Sequence, residues 1–157
     1  MLADAHHAAE CGCVKALLGL ARLHSGLPAA CLPGLAIPEE ERDESLRRHY
    51  YEFAAQGGEL EAALWVAQQC EQEGDAEAAD RYFADADQMM ATGKGVAEIG
   101  QMPHYEVRAK RAALAEAAGE RGKAADLYSE ASEIAMAAFK TKVGMRYMMR
   151  SEELSEG

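Results

Sequence analysis

β-branched residues are scarce in this chain. Its 157 residues include five valines and three isoleucines, and aromatics make up 6%. Val, Ile and aromatic side chains are what pleated, half-buried sheet surfaces are built from, so this composition disfavours a sheet protein. No apolar run approaches the ~20 residues that cross a bilayer, and membrane is therefore not an expected partner. The N terminus lacks the basic, apolar and small-residue order of a secretory signal. Basic residues are also in the minority: 16 Lys and Arg stand against 27 Asp and Glu, for a net charge of −11. Such a surface repels phosphate, so nucleic acid is not expected as a partner of the main body. Cys11, Cys13, Cys31 and Cys70 are too few and too scattered for a disulfide framework, and free thiols in a reducing, cytoplasmic setting are expected.

What the chain does contain is Ala, Leu and Glu, which lose little side-chain freedom in a helix. Internal repetition organises them. Ala8-Ala9-Glu10-Cys11-Gly12 is echoed 46 residues later by Ala54-Ala55-Gln56-Gly57-Gly58. At the same offset Val14, Leu17, Leu18 and Ala21 fall on Leu60, Ala63, Leu64 and Ala67. Both sets have i, i+3, i+4, i+7 spacing, so each lines one helix face. Ala78-Ala79-Asp80-Arg81-Tyr82 falls on Ala124-Ala125-Asp126-Leu127-Tyr128, again 46 residues on.

The periodicity predicts helices at about 2–10, 13–25, 43–56, 59–73, 75–91, 103–119, 123–139 and 142–154. Gly57-Gly58, Gly74 and the Gly119–Gly122 stretch let successive helices reverse, and Asp43 and Asp75 are N-cap candidates. Residues 25–42, with Pro28, Pro33, Pro38 and the acidic run Glu39–Glu41, read as a loop, as do residues 92–101. Each helix pair has an apolar face that only stacking can bury. The expected fold is therefore all-α: stacked antiparallel helix pairs over 1–138, followed by a C-terminal helix and tail over 139–157 packed on the same domain. Trp65 is expected in the core, with a surface hot spot as the rival placement. Met1 leads straight into Leu2-Ala3-Asp4-Ala5, as though a helix were already under way. The expectation is that the chain is the end of a longer protein whose missing part could carry a catalytic domain.

The one basic island is Lys140, Lys142, Arg146 and Arg150, with no acid among residues 139–150. Helical spacing puts Val143, Tyr147 and Leu154 on one stripe and Met145, Met148, Met149 and Glu152 on another side. One side can pack on the repeats while the other meets a partner, and Met adapts to irregular partner surfaces. A solvated capping helix accounts for the same pattern. A direct calmodulin target is a third reading. Gly144 weakens the helix at its centre by roughly 1 kcal/mol relative to Ala and marks a candidate hinge.

Two further constellations carry less. His6, His7, Cys11 and Cys13 place His7 and Cys11 at i, i+4, where they could share a zinc ion. However, Cys-x-Cys is not the usual Cys-x-x-Cys turn, and small buried thiols with exposed histidines account for the cluster. Gly93-Lys94-Gly95 through Gly100 lacks the Gly-Lys-Ser/Thr ending and the preceding strand of a phosphate loop. The many carboxylates read as solvated helix faces. No catalytic set stands out, so the chain itself is expected to be non-catalytic and free of metal or cofactor.

An Ala-Ala-x-x-Gly joint followed by Ala-x-x-x-Leu-Ala, at Ala8–Gly26 and Ala54–Gly74, resembles Sel1-like repeats, relatives of the tetratricopeptide repeats. Asp126-Leu127-Tyr128-Ser129-Glu130-Ala131-Ser132-Glu133-Ile134-Ala135-Met136 is followed by Ala138-Phe139-Lys140, Lys142-Val143, Arg146-Tyr147 and Glu152-Glu153. This run is similar to the C-terminal end of the eukaryotic elongation factor 2 kinase family, calmodulin-dependent serine/threonine α-kinases. The resemblance spans nearly the whole chain, and its most specific part is Asp126 to Glu153. It implies a recruitment domain that docks elongation factor 2 for a separate kinase domain, packs against that domain with its bound calmodulin, and so regulates translation elongation. The residues expected to bind the partner are Lys142, Val143, Arg146, Tyr147, Met148, Met149, Arg150, Glu152 and Glu153. Tyr147 and the acidic pair Glu152-Glu153 match the family. Met148 stands where the family has a second tyrosine, and Ser155 where it has a tryptophan. A generic Sel1-like scaffold for another protein is the alternative.

Overall fold

The computed structural model describes residues 2–93 and 101–157. Every regular element among them is helical: α1 (Leu2–Glu10), α2 (Val14–His24), a 3₁₀ turn at Glu39–Glu41, α3 (Glu44–Gln56), α4 (Leu60–Gln72), α5 (Ala76–Ala91), α6 (His104–Ala117), α7 (Arg121–Ala137) and α8 (Thr141–Ser155). Sequence-neighbouring helices pack on one another as α1–α2, α2–α3, α5–α6, α6–α7 and α7–α8. The expected helices are all present, with ends within two residues of the sequence reading. Part of the Gly93–Gly100 segment, residues 94–100, lies outside the described residues.

The caps explain the sharp boundaries. Asp43 Oδ1 accepts the Leu46 N–H at 2.9 Å and Asp75 Oδ1 accepts the Ala78 N–H at 3.1 Å, each satisfying an otherwise orphaned donor. At the other ends, Gly12, Gly26, Gly58, Gly74, Gly93 and Gly119 follow α1 to α6 with φ between 69° and 91°. In this left-handed region a Cβ is disfavoured. It turns the chain so that the next amide closes back onto the helix, as in Cys13 N–H to Ala8 O at 2.9 Å and Asp75 N–H to Cys70 O at 2.9 Å. Gly122, by contrast, is not part of a joint and sits inside α7.

The chain forms two compact units, residues 1–66 and 67–157, and the boundary falls within α4. In the first unit Leu20, Leu23, Tyr51, Ala54 and Leu64 are buried. The proline-rich connection is no free loop, since its Ala29 and Ile37 pack on Leu23. Trp65 is only half-buried: it stacks on Tyr51 at 4.2 Å with the Arg47 guanidinium 5.4 Å above its ring. The expected core placement is thus corrected, because the indole lies at the edge of the core with a cation on its face.

In the second unit Ala112, Ala115, Ala124, Ala125, Leu127 and Leu154 make one cluster, with Tyr128 against it. Small alanines let these helices approach closely, and full burial of a large side chain such as Phe83 contributes about 1.5–3 kcal/mol. One carboxylate departs from the expected solvated pattern. Asp87 on α5 is 3% exposed. It accepts from His104 Nε2 at 2.6 Å, Arg108 Nη2 at 2.8 Å and Arg111 Nη1 at 2.9 Å, all on α6. Burial alone would raise its pKa, but these three donors outweigh burial and hold the carboxyl below its ordinary value. Arg108 reaches on to Glu130 of α7, and Arg111 Nε to Asp80 of α5 at 3.1 Å. The charges thus tie three helices together.

Candidate functional site

The last helix has one face turned to the protein and one turned away, as its spacing requires. Val143 and Tyr147 are half-buried and Leu154 is buried. Tyr147 lies 6.1 Å from the Tyr128 ring, and burial pushes its phenol pKa up, with Glu106 adding to the shift. Ser151 Oγ donates to Ala125 O at 2.7 Å, and Arg121 Nη2 donates to Glu153 O at 3.3 Å. Gly144 is buried too. A Cβ there would stand 2.9 Å from Met136 Cγ, and its carbonyl accepts from Ser132 Oγ at 2.7 Å. The glycine is therefore a point of close approach inside a continuous helix, and the hinge expectation is corrected.

The outward face carries Lys142, Met145, Arg146, Met149 and Glu152, with Met148 on its flank. Met145 is 54%, Met148 46% and Met149 61% exposed. Among the described residues Lys142 and Arg146 form no ion pair with an acid, whereas Arg150 is bound to Glu116 of α6 and to Glu153 at 2.7 Å. The nine residues singled out in the sequence thus separate into three groups. Val143 and Tyr147 face inward. Arg150 and Glu153 hold each other and the helix body. Lys142, Arg146, Met148, Met149 and Glu152 remain open to a partner.

Two residues belong with the open group. Met145 was placed on the right face by spacing. Phe139, at the α7–α8 joint, is 92% exposed and has φ 60°. Lys140 N–H closes onto Ala135 O at 2.8 Å around it, the same closure that glycine makes at the earlier joints. A side chain in left-handed backbone costs about 1–2 kcal/mol. Nor does helix stability account for Lys142. It lies in the first turn of α8, which has no acid and no side-chain cap, and positive charge there opposes the helix dipole.

The histidine and cysteine cluster has a different geometry. His6 Nδ1 meets the Tyr50 hydroxyl at 3.0 Å, and His7 Nε2 stands 3.9 Å from Cys11 Sγ. Among the described residues no group of three His, Cys, Asp or Glu side chains is arranged to share a metal ion. None of the described helices is long and apolar enough to cross a membrane.

Comparison with known proteins adds one finding. The chain is 26% identical over 163 residues to eukaryotic elongation factor 2 kinase from Homo sapiens, covering 94% of this chain. It spans 22% of that protein's length. No protein-family model matches. The chain is thus similar to a domain-sized part of that kinase, and its all-helical architecture fits a non-catalytic domain.

Proposed function

We propose that this chain is a substrate-recruiting domain of an elongation factor 2 kinase. In this reading residues 1–138 form the Sel1-like repeat body and residues 139–157 the docking segment. The segment brings elongation factor 2 to a separate serine/threonine α-kinase domain in the cytoplasm and thereby regulates translation elongation. The kinase domain with its calmodulin is the second partner. The observation that carries the reading is a helix that is packed on one face and open on the other. Three exposed methionines and two cations with no acidic partner among the described residues lie on the open side, in a chain similar along 94% of its length to the kinase.

Deleting α8 would be a poor test, because Leu154 belongs to the core. The cleaner experiment measures binding of elongation factor 2 to the intact chain and to Met145→Ser/Met149→Ser, whose side chains do not support the fold. The intact chain binds, and the variant binds about tenfold more weakly, equivalent to ~1.4 kcal/mol. No binding by the intact chain overturns the proposal. A generic scaffold is the second reading, favoured by one observation: Leu46 and Phe53 of α3 are also exposed, and with His49 they share a face. Binding that survives the methionine changes and is lost in Leu46→Ser/Phe53→Ser selects it.

A further inference from the structure

Phe139 stands where this chain otherwise uses glycine. Gly93 lies 46 residues before it, at the repeat offset, and ends α5 with φ 69° as Phe139 ends α7 with φ 60°. Replacing glycine by phenylalanine at such a joint strains the backbone, and a side chain 92% exposed recovers nothing by packing within the chain. The aromatic ring is therefore held out to solvent at a cost to the fold. It is followed by Lys140 and Lys142, then by Met145, Arg146 and Met149, with no acid between Phe139 and Arg150.

We infer that Phe139 and the outward face of α8 form one docking surface for an acidic peptide segment bearing large apolar side chains. Charge decides the chemistry of the occupant. The chain carries −11 overall, so a basic partner would be drawn to the rest of the surface, whereas this island, with no acid among residues 139–150, favours an acidic one. Phe139 and the methionines supply the apolar contact, since aromatic rings are enriched among residues that dominate binding and methionine conforms to varied surfaces. The inference rests on the docking reading above and adds the nature of the segment that docks.

The test uses the whole chain and two labelled synthetic peptides with identical leucine and phenylalanine positions. One carries glutamate and the other lysine at every remaining charged position. Fluorescence anisotropy is expected to show tighter binding of the glutamate peptide by about tenfold, with the difference shrinking as salt is raised. Lys142→Glu/Arg146→Glu abolishes that preference. Phe139→Gly weakens the glutamate peptide while raising the thermal midpoint, a combination that a merely structural residue does not produce. Binding of neither peptide, equal binding of both, or unchanged affinity in Phe139→Gly overturns the inference. Elongation factor 2 is titrated in parallel. If it binds wild type and the charge-reversed variant equally, the acidic-segment inference fails while recruitment stands. If the glutamate peptide binds and elongation factor 2 does not, recruitment fails and the surface remains.

Discussion

Asp87 and Arg146 are both charged residues on helices of the second unit, and they meet opposite surroundings. Asp87 is sealed between α5 and α6 with three donors on its two oxygens. Arg146 lies open on α8 beside Met145 and Met149. Removing one partner of a buried, fully paired charge leaves the others desolvated and unpaired. Removing an exposed charge costs the fold almost nothing. The difference separates residues that hold this unit together from residues available to something outside it.

Substitutions can break that separation. The largest effect is expected for Asp87→Ala, which removes the buried acceptor shared by His104, Arg108 and Arg111 and should cost about 3 kcal/mol in urea unfolding. Partner binding by whatever fraction remains folded should be unchanged. The same carboxylate sets an acid limit. Its pKa is lowered on folding, so its stabilisation is fully present above the ordinary value of about 3.9 and is lost as pH falls through the lower folded value. Acid unfolding followed by circular dichroism should therefore lose this contribution below about pH 4 in wild type, while Asp87→Asn shows a shallower pH dependence there. Gly144→Leu should come next. The new side chain meets Met136 and should cost about 1–3 kcal/mol by overpacking, and because it displaces α8 it should also weaken binding. Phe139→Gly has the smallest effect and the opposite sign: calorimetry should show stabilisation of about 1 kcal/mol as the left-handed strain is relieved.

The helices were legible because apolar residues recur every three to four positions and a glycine closes nearly every pair. The two faces of α8 were legible for the same reason, and Val143, Tyr147 and Leu154 lie on the inward side as spacing requires. Asp87 was not. Its role depends on the register of α5 against α6, and a carboxylate on one helix reads as solvated until the facing His104, Arg108 and Arg111 are placed opposite it. Their i, i+4, i+7 spacing was the signal available. Arg150 and Glu153 read as partner-binding for a similar reason, because Glu116, which claims Arg150, lies 34 residues earlier in the chain. Gly144 resembled a hinge because propensity describes a helix alone and not the Met136 packed against it. Phe139 offered no local cue, since a bulky residue gives no warning of left-handed backbone. The 46-residue step from Gly93 was its one trace in the sequence.

Hydroxyl-radical footprinting of the chain with and without elongation factor 2 tests the central claim most directly, because methionine side chains report their own exposure. Docking on the outward face of α8 predicts that oxidation of Met145 and Met149 falls when elongation factor 2 is added, while the half-buried Met136 is unchanged. Unaltered oxidation of Met145 and Met149, with protection appearing instead at Leu46 and Phe53, would contradict it.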